Sequence, residues 1–231
     1  MKTPFLVLAV LLVGVALARA DAARLDLSGI ERVEITGDAA VVRLTARPGE
    51  TPQARLVERR AGWFAHWYSS WFYNDCRTAS RMWVEGAVLH VEAHTPSILE
   101  SSDCVVELTA SLPPEVSVRI DLAAVEAQLD GRFAALDTQT RAGDLGVTGA
   151  VERIDLRGTA LRARLDLSGA APRGVNLAVG SLDAEITLPM HASVGWRVDA
   201  KAALVDTARP NDRDGATQIL VSADFLRLAI R

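Results

Sequence analysis

The sequence predicts an all-β chain: a single-stack, β-helix-like solenoid of about five or more coils with a period near 20 residues, carrying a short aromatic helical insertion. Three observations lead there. From Val116 onward, phrases such as "RIDLAAVEAQLDG", "RIDLRGTALRARLDLSG" and "GVNLAVGSLDAEITLP" repeat one another loosely. Within them apolar and polar residues alternate with period two, as in Leu161, Ala163, Leu165 and Leu167 against Arg162, Arg164 and Asp166. That is the pattern of strands with one buried and one wet face. Helical spacing is almost confined to residues 59 to 76, which hold seven of the twelve Phe, Trp and Tyr side chains.

Taken in order, the chain opens on MKTPFLVLAVLLVGVALARA. Lys2, an apolar run from Pro4 to Ala18 and the small-x-small Ala18-Arg19-Ala20 read as a signal peptide over residues 1–20. The expectation is an exported protein, in the periplasm with the cell surface as the alternative, whose residues 21–231 form one domain. Within it, 21–112 would supply N-terminal strands with the insertion at 59–76, and 113–231 the repeat coils. The formal net charge is −4, and cleavage would remove Lys2 and Arg19 but no acid. An acidic chain whose cations form no tract argues against nucleic acid.

Arg32 to Ile35, Ala40 to Ala46, Val84 to Ala93 and Val105 to Leu112 alternate as strands, and "RPGET" at 47–51 reads as a turn. In the repeats, the first run is marked by Ile120-Asp121-Leu122, Leu136-Asp137-Thr138, Ile154-Asp155-Leu156, Val175-Asn176-Leu177 and Val198-Asp199-Ala200. Gly143, Gly146, Gly149, Gly158, Gly169, Gly174 and Gly180 are expected at corners where positive φ is needed. Because one coil cannot bury its own apolar face, each must stack on neighbours.

"VVELTASLPPEVSVRIDL" (105–122) and "DAEITLPMHASVGWRVDA" (183–200) share a strand, a Leu-Pro, a gap and a second strand. Followed by Gly-punctuated coils, this resembles the bacterial putative-adhesin β-strand-repeat family, including the auto-transporter adhesin head (GIN) type, over roughly residues 25 to 231. The resemblance implies an exported right-handed β-solenoid, with no activity assigned to most members. The aromatic segment stands outside that pattern.

As a helix, Trp63, Trp67 and Trp71 form one stripe and Phe64, Tyr68 and Phe72 the next, with Ala65, His66, Ser69 and Ser70 opposite. Such a face must dock on the protein itself, on an envelope protein or glycan, or on a membrane surface with Arg59 and Arg60 at the headgroups. Cys76 and Cys104 suit a disulfide in an exporting context. Closing their 28-residue separation contributes roughly 3 to 4 kcal/mol in the loop-entropy account.

Chemistry is sparse. "HVEAH" projects His90, Glu92 and His94 from one strand face, a set suited to Zn²⁺ or Cu²⁺. A metal-binding protein or metal-dependent enzyme centred there is the alternative to a binding role, and a purely structural scaffold is a further one. Asp121, Asp137, Asp155, Asn176 and Asp199 could form a ladder for Ca²⁺, although alternating polar residues are what any wet face shows. No nucleophile elbow or phosphate-binding loop is present, and His191 after Pro189-Met190 reads as an exposed turn residue. The sequence therefore favours a non-enzymatic protein without a cofactor, and leaves oligomeric state open.

Overall fold

The structure is a computed structural model, and it describes residues 25–60, 79–95 and 104–231. Among them there is no helix. The strands are β1 (Arg32–Ala46), β2 (Gln53–Arg60), β3 (Arg81–Glu85), β4 (Val88–Ala93), β5 (Cys104–Ser111), β6 (Val116–Asp166), β7 (Gly174–Thr187), β8 (Val194–Thr207) and β9 (Thr217–Ile230). All belong to a single nine-stranded sheet in the order β2-β5-β1-β6-β7-β9-β8, with the β3–β4 hairpin joined to β1 through β4.

Most long pairings are parallel, and each paired stretch is bent at one place; β6 carries two such stretches, one along β1 and one along β7. The register shows the bend as a skipped pair: Gly37 faces Leu122 and Ala39 faces Ala124, Gly158 faces Val179 and Ala160 faces Ser181, Ala200 faces Ala223 and Ala202 faces Phe225. A layer is therefore two short legs meeting at a corner. The inward residues of both legs make one continuous core, including Val33, Ile35, Ile120, Leu129, Ile154, Leu165, Leu177 and Ile186, all at most 2% exposed. Alternation forces this, since a shift by one residue would turn every apolar side chain outward.

Chain order and layer order differ at both ends. β1 lies between β4 and β5 on one side and β6 on the other, so the first strand is an inner layer. At the far end β9 lies between β7 and β8, so the last strand is also an inner layer. The repeat marked by Val198-Asp199-Ala200 consequently does not stack on the one before it, and a 44-residue step joins Val175 to its partner Ile219. Placing the terminal strand inside gives it ladder partners on both sides.

Several local expectations are corrected. Val84 to Ala93 is not one strand but the β3–β4 hairpin, turned at Gly86 with φ 60°. Of the seven corner glycines only Gly149 has positive φ, at 125°; Gly143, Gly146 and Gly158 lie inside β6. Gly158 serves close approach, because a Cβ there would sit 2.1 Å from the Thr140 carbonyl oxygen. The 47–51 turn is present, with Gly49 at φ 84°. The insertion begins later than residue 59, because Arg59 and Arg60 complete β2 opposite Val105 and Cys104.

Candidate functional site

The polar side chains of the "HVEAH" stretch sit on the wet face of the β3–β4 hairpin, where Leu89, Val91 and Ala93 fill the core. Cross-strand pairing sets Trp83 opposite His90, and their rings stack at 5.1 Å and 15°. The Arg81 guanidinium lies 5.4 Å from the other ring partner, Trp83, and its Nε donates to Glu92 Oε2 at 2.7 Å. That bond, with the adjacent positive charge, holds the Glu92 carboxyl below the usual carboxylate range and raises Arg81. His90 Nδ1 is 3.5 Å from Glu34, while His94 lies 3.7 Å from Glu92 and 3.8 Å from Asp38.

His90 and His94 thus turn to different carboxylates, and Glu92 is taken by Arg81. Among the described residues no group of three or more His, Cys, Asp or Glu is arranged to hold a metal ion. The carboxylate ladder is broken as well. Asp155 does face Asn176, whose Nδ2 donates to it at 3.3 Å, but Asn176 faces Leu220, Asp121 faces Thr36 and Asp199 faces Ser222. Leu220 of β9 interrupts the column after Asn176, and Asp199 lies a layer beyond and two positions along, so the five side chains do not form one ladder. Arg157 further binds Asp155 at 2.6 Å. His191 is an exposed turn residue, as its Leu-Pro context suggests.

Trp63, Phe64, Trp67, Tyr68, Trp71, Phe72 and Cys76 lie outside the described residues. What is described is where their segment leaves and rejoins the sheet. It departs at Arg60, opposite Cys104 on β5, and returns at Ala79, two residues before β3. On β2 the Arg59 Nε donates to Glu107 Oε2 at 2.8 Å, and Arg43 of β1 binds the other oxygen of that carboxylate. The Arg59 cation is therefore engaged across three strands rather than offered to a headgroup.

One feature escaped the sequence reading. Just past the corner, successive layers carry Ala39 beside Ala124, Ala160 beside Ser181, and Ala202 beside Phe225. The small side chains among these floor a trough with one compartment of about 770 Å³ around Ala160, Ser181 and Phe225. A second, of about 370 Å³, lies around Ala39, Ala124 and Cys104, and the two share Ala142, Gly143 and Asp144. Charges along the rim are matched, with Arg162 at 3.6 Å from both Asp144 and Asp183. The floor offers methyl groups, the Ser181 hydroxyl and the exposed Phe225 ring, which suits contact rather than reaction. The signal was available: a small residue recurs a few positions after each marking tripeptide.

No protein-family model matches the chain, and no curated protein matches it. Among solved structures it is similar to a putative cell adhesion protein from Clostridium sporogenes, at 11% identity and TM-score 0.48, covering 90% of this chain and 95% of that one. It is also similar to a putative adhesin from Bacteroides fragilis, at 7% identity and TM-score 0.47, with the same coverage. At those scores neither likeness bears on what this chain binds.

Proposed function

We propose that the chain is a non-enzymatic, exported cell-envelope protein, a β-solenoid that presents an aromatic segment to a partner protein, glycan or membrane surface. The observation that carries this reading is the concentration of seven of the twelve aromatic side chains between residues 59 and 76, in a segment rooted at the β2–β5 edge. Trp63, Phe64, Trp67, Tyr68, Trp71 and Phe72 would carry the contact energy, because Trp and Tyr supply large rigid faces at low entropic cost. A Cys76–Cys104 disulfide would fix the root of the segment beside the trough. The engagement of Arg59 by Glu107 favours a protein or glycan over a membrane surface. Support for a non-enzymatic role comes from the β3–β4 wet face, where Arg81 engages Glu92 and His90 stacks on Trp83.

The test is tryptophan fluorescence with acrylamide quenching on the disulfide-intact protein, alone and with envelope glycan fragments or anionic liposomes. A variant with Trp63, Trp67 and Trp71 changed to Phe gives the background from Trp83 and Trp196. Quenchable tryptophans that one addition protects support the reading and name the ligand class. Tryptophans that are unquenchable and indifferent to every addition make the segment internal and sink it.

A further inference from the structure

The two ends of the sheet are finished differently. At the β1 end, β2 and β3 run antiparallel to β5 and β4 and close those edges with short, charged strands, as edges exposed to water usually are. At the other end β8 pairs with β9 and, among the described residues, with no further strand. Its inward side chains are correspondingly half-open: Trp196, Val198, Ala200 and Val205 are only partly buried against the core, and Ala203 is exposed. One layer in, the same columns are closed, with Ile219 at 0%, Val221 at 3%, Leu226 at 6% and Leu228 at 1% exposure. A stacked fold needs a cap where its last layer stops.

Part of that edge is capped by the chain itself. Asn211 uses its side-chain amide as a strand would use its backbone, accepting from Trp196 N–H at 2.9 Å and donating to the Trp196 carbonyl oxygen at 2.9 Å. Asp212 N–H donates to the Val194 carbonyl oxygen. Val194 and Trp196 therefore aim their peptide groups away from β9, and by the period of a strand so do Val198 and Ala200. For those two no such cap is formed among the described residues.

We infer that two copies of this chain stack head to head through β8, with Val198 to Val205 pairing antiparallel about a two-fold axis between Lys201 and Ala202. β8 is self-complementary in that register and preserves which side faces the core. Val198 falls opposite the partner copy's 205 position and Ala200 opposite its 203 position, inward residue on inward residue, although the corner reverses the alternation between them. On the wet face Arg197, which has no ion pair among the described residues, falls opposite the carboxylate at position 206. Asp206 already takes Arg231 at 2.6 Å from one side. The two Lys201 meet near the axis, each neutralised by its own Asp224 at 2.7 Å. Asp199 opposite Leu204 is not complementary, and both stay solvated. Because the axis bisects the corner, each leg of one copy lies over the other leg of its mate, and the two cores become one. The contact is isologous and closes at a dimer, with the Asn211 caps limiting the ladder at both ends. This proposal does not depend on what the aromatic segment binds.

Light scattering of the full-length mature protein across nanomolar to high-micromolar concentrations should give a dimer mass, and a monomer throughout overturns the inference. The register is read by mixing Val198→Cys and Val205→Cys chains under mild oxidation. Peptide mapping should find the mixed 198–205 link and neither variant linked to itself; a self-linked Val198→Cys overturns the pairing. Arg197→Asp, which opposes two carboxylates at each end of the ladder, should raise the dimer dissociation constant about tenfold or more. The monomer's melting temperature should not move, because Arg197 makes no ion pair within its own chain among the described residues. A dimer indifferent to Arg197→Asp also overturns the pairing.

Discussion

The Thr217 hydroxyl donates to the Pro172 carbonyl oxygen at 2.6 Å, buried between the start of β9 and the loop that precedes β7. It ties together the two strands whose parallel pairing bridges a long gap in sequence, since β8 and the 208–216 loop intervene. Thr217 is 1% exposed, so the bond is shielded from water and its loss is not replaced by solvent.

Thr217→Val keeps the shape and leaves the Pro172 oxygen unmet. The expected cost is about 1–3 kcal/mol, the penalty of an orphaned buried acceptor. Chemical denaturation should show it as a lower midpoint with an unchanged slope. Were Thr217→Val as stable as the parent, the register of β9 between β7 and β8 would not depend on this clasp.

The columns of glycine at the layer ends give a sharper contrast. Gly131 and Gly149 both have positive φ, at 123° and 125°. A Cβ on Gly149 would come within 2.1 Å of the Gly131 carbonyl oxygen, an immovable backbone atom. Gly149→Ala should therefore cost more than about 2 kcal/mol, combining dihedral strain with a clash. Gly169, whose nearest such neighbour is 3.9 Å away, should accept Ala with little change. Thermal melts of the two variants decide it, and equal melting temperatures would contradict the close stacking of these layers.

These glycines also mark what sequence can carry. Alternation at Leu161 to Leu167 and Leu182 to Leu188 announced strands because one face of each must avoid water, and those residues are indeed core. Layer order was not written in any local pattern. β9 resembles its neighbours in composition, and its place between β7 and β8 follows from which apolar columns fit, a property of pairs distant in the chain. The Asp121 to Asp199 series reads as a ladder only where recurrence in sequence is also register in space. Ile154-Asp155-Leu156 and Val175-Asn176-Leu177 do share a column, but β9 intervenes before β8, and Val198-Asp199-Ala200 falls two positions along from that column. His90, Glu92 and His94 were correctly set on a wet face, but the residues that engage them, Arg81, Trp83, Glu34 and Asp38, come from other strands and turns. The small-residue trough is the opposite case: it recurs in sequence at Ala142, Ala160 and Ser181, and small residues carry no chemistry to draw notice.

Acid should weaken the fold through groups that can be named. The Arg81 hydrogen bond lowers the Glu92 carboxyl, and the Arg231 hydrogen bond lowers that of Asp206. A carboxyl with a depressed folded value binds protons more readily in the unfolded chain, so its contribution is full above the unfolded value near 4 and disappears as pH falls through the folded one. Between pH 5 and 8 these two groups should leave stability flat, on the ordinary carboxylate scale of about 4. Asp206 is exposed and Glu92 only partly buried, so the effect is small and is further reduced by salt. Glu92→Gln removes the titration while keeping an acceptor for Arg81. Urea midpoints measured at neutral pH and well below the unfolded value should fall less for Glu92→Gln than for the parent. Equal falls would mean that the Arg81–Glu92 bond forms no better in the folded chain than in the unfolded one, and that the wet face of the β3–β4 hairpin is not held by its charges.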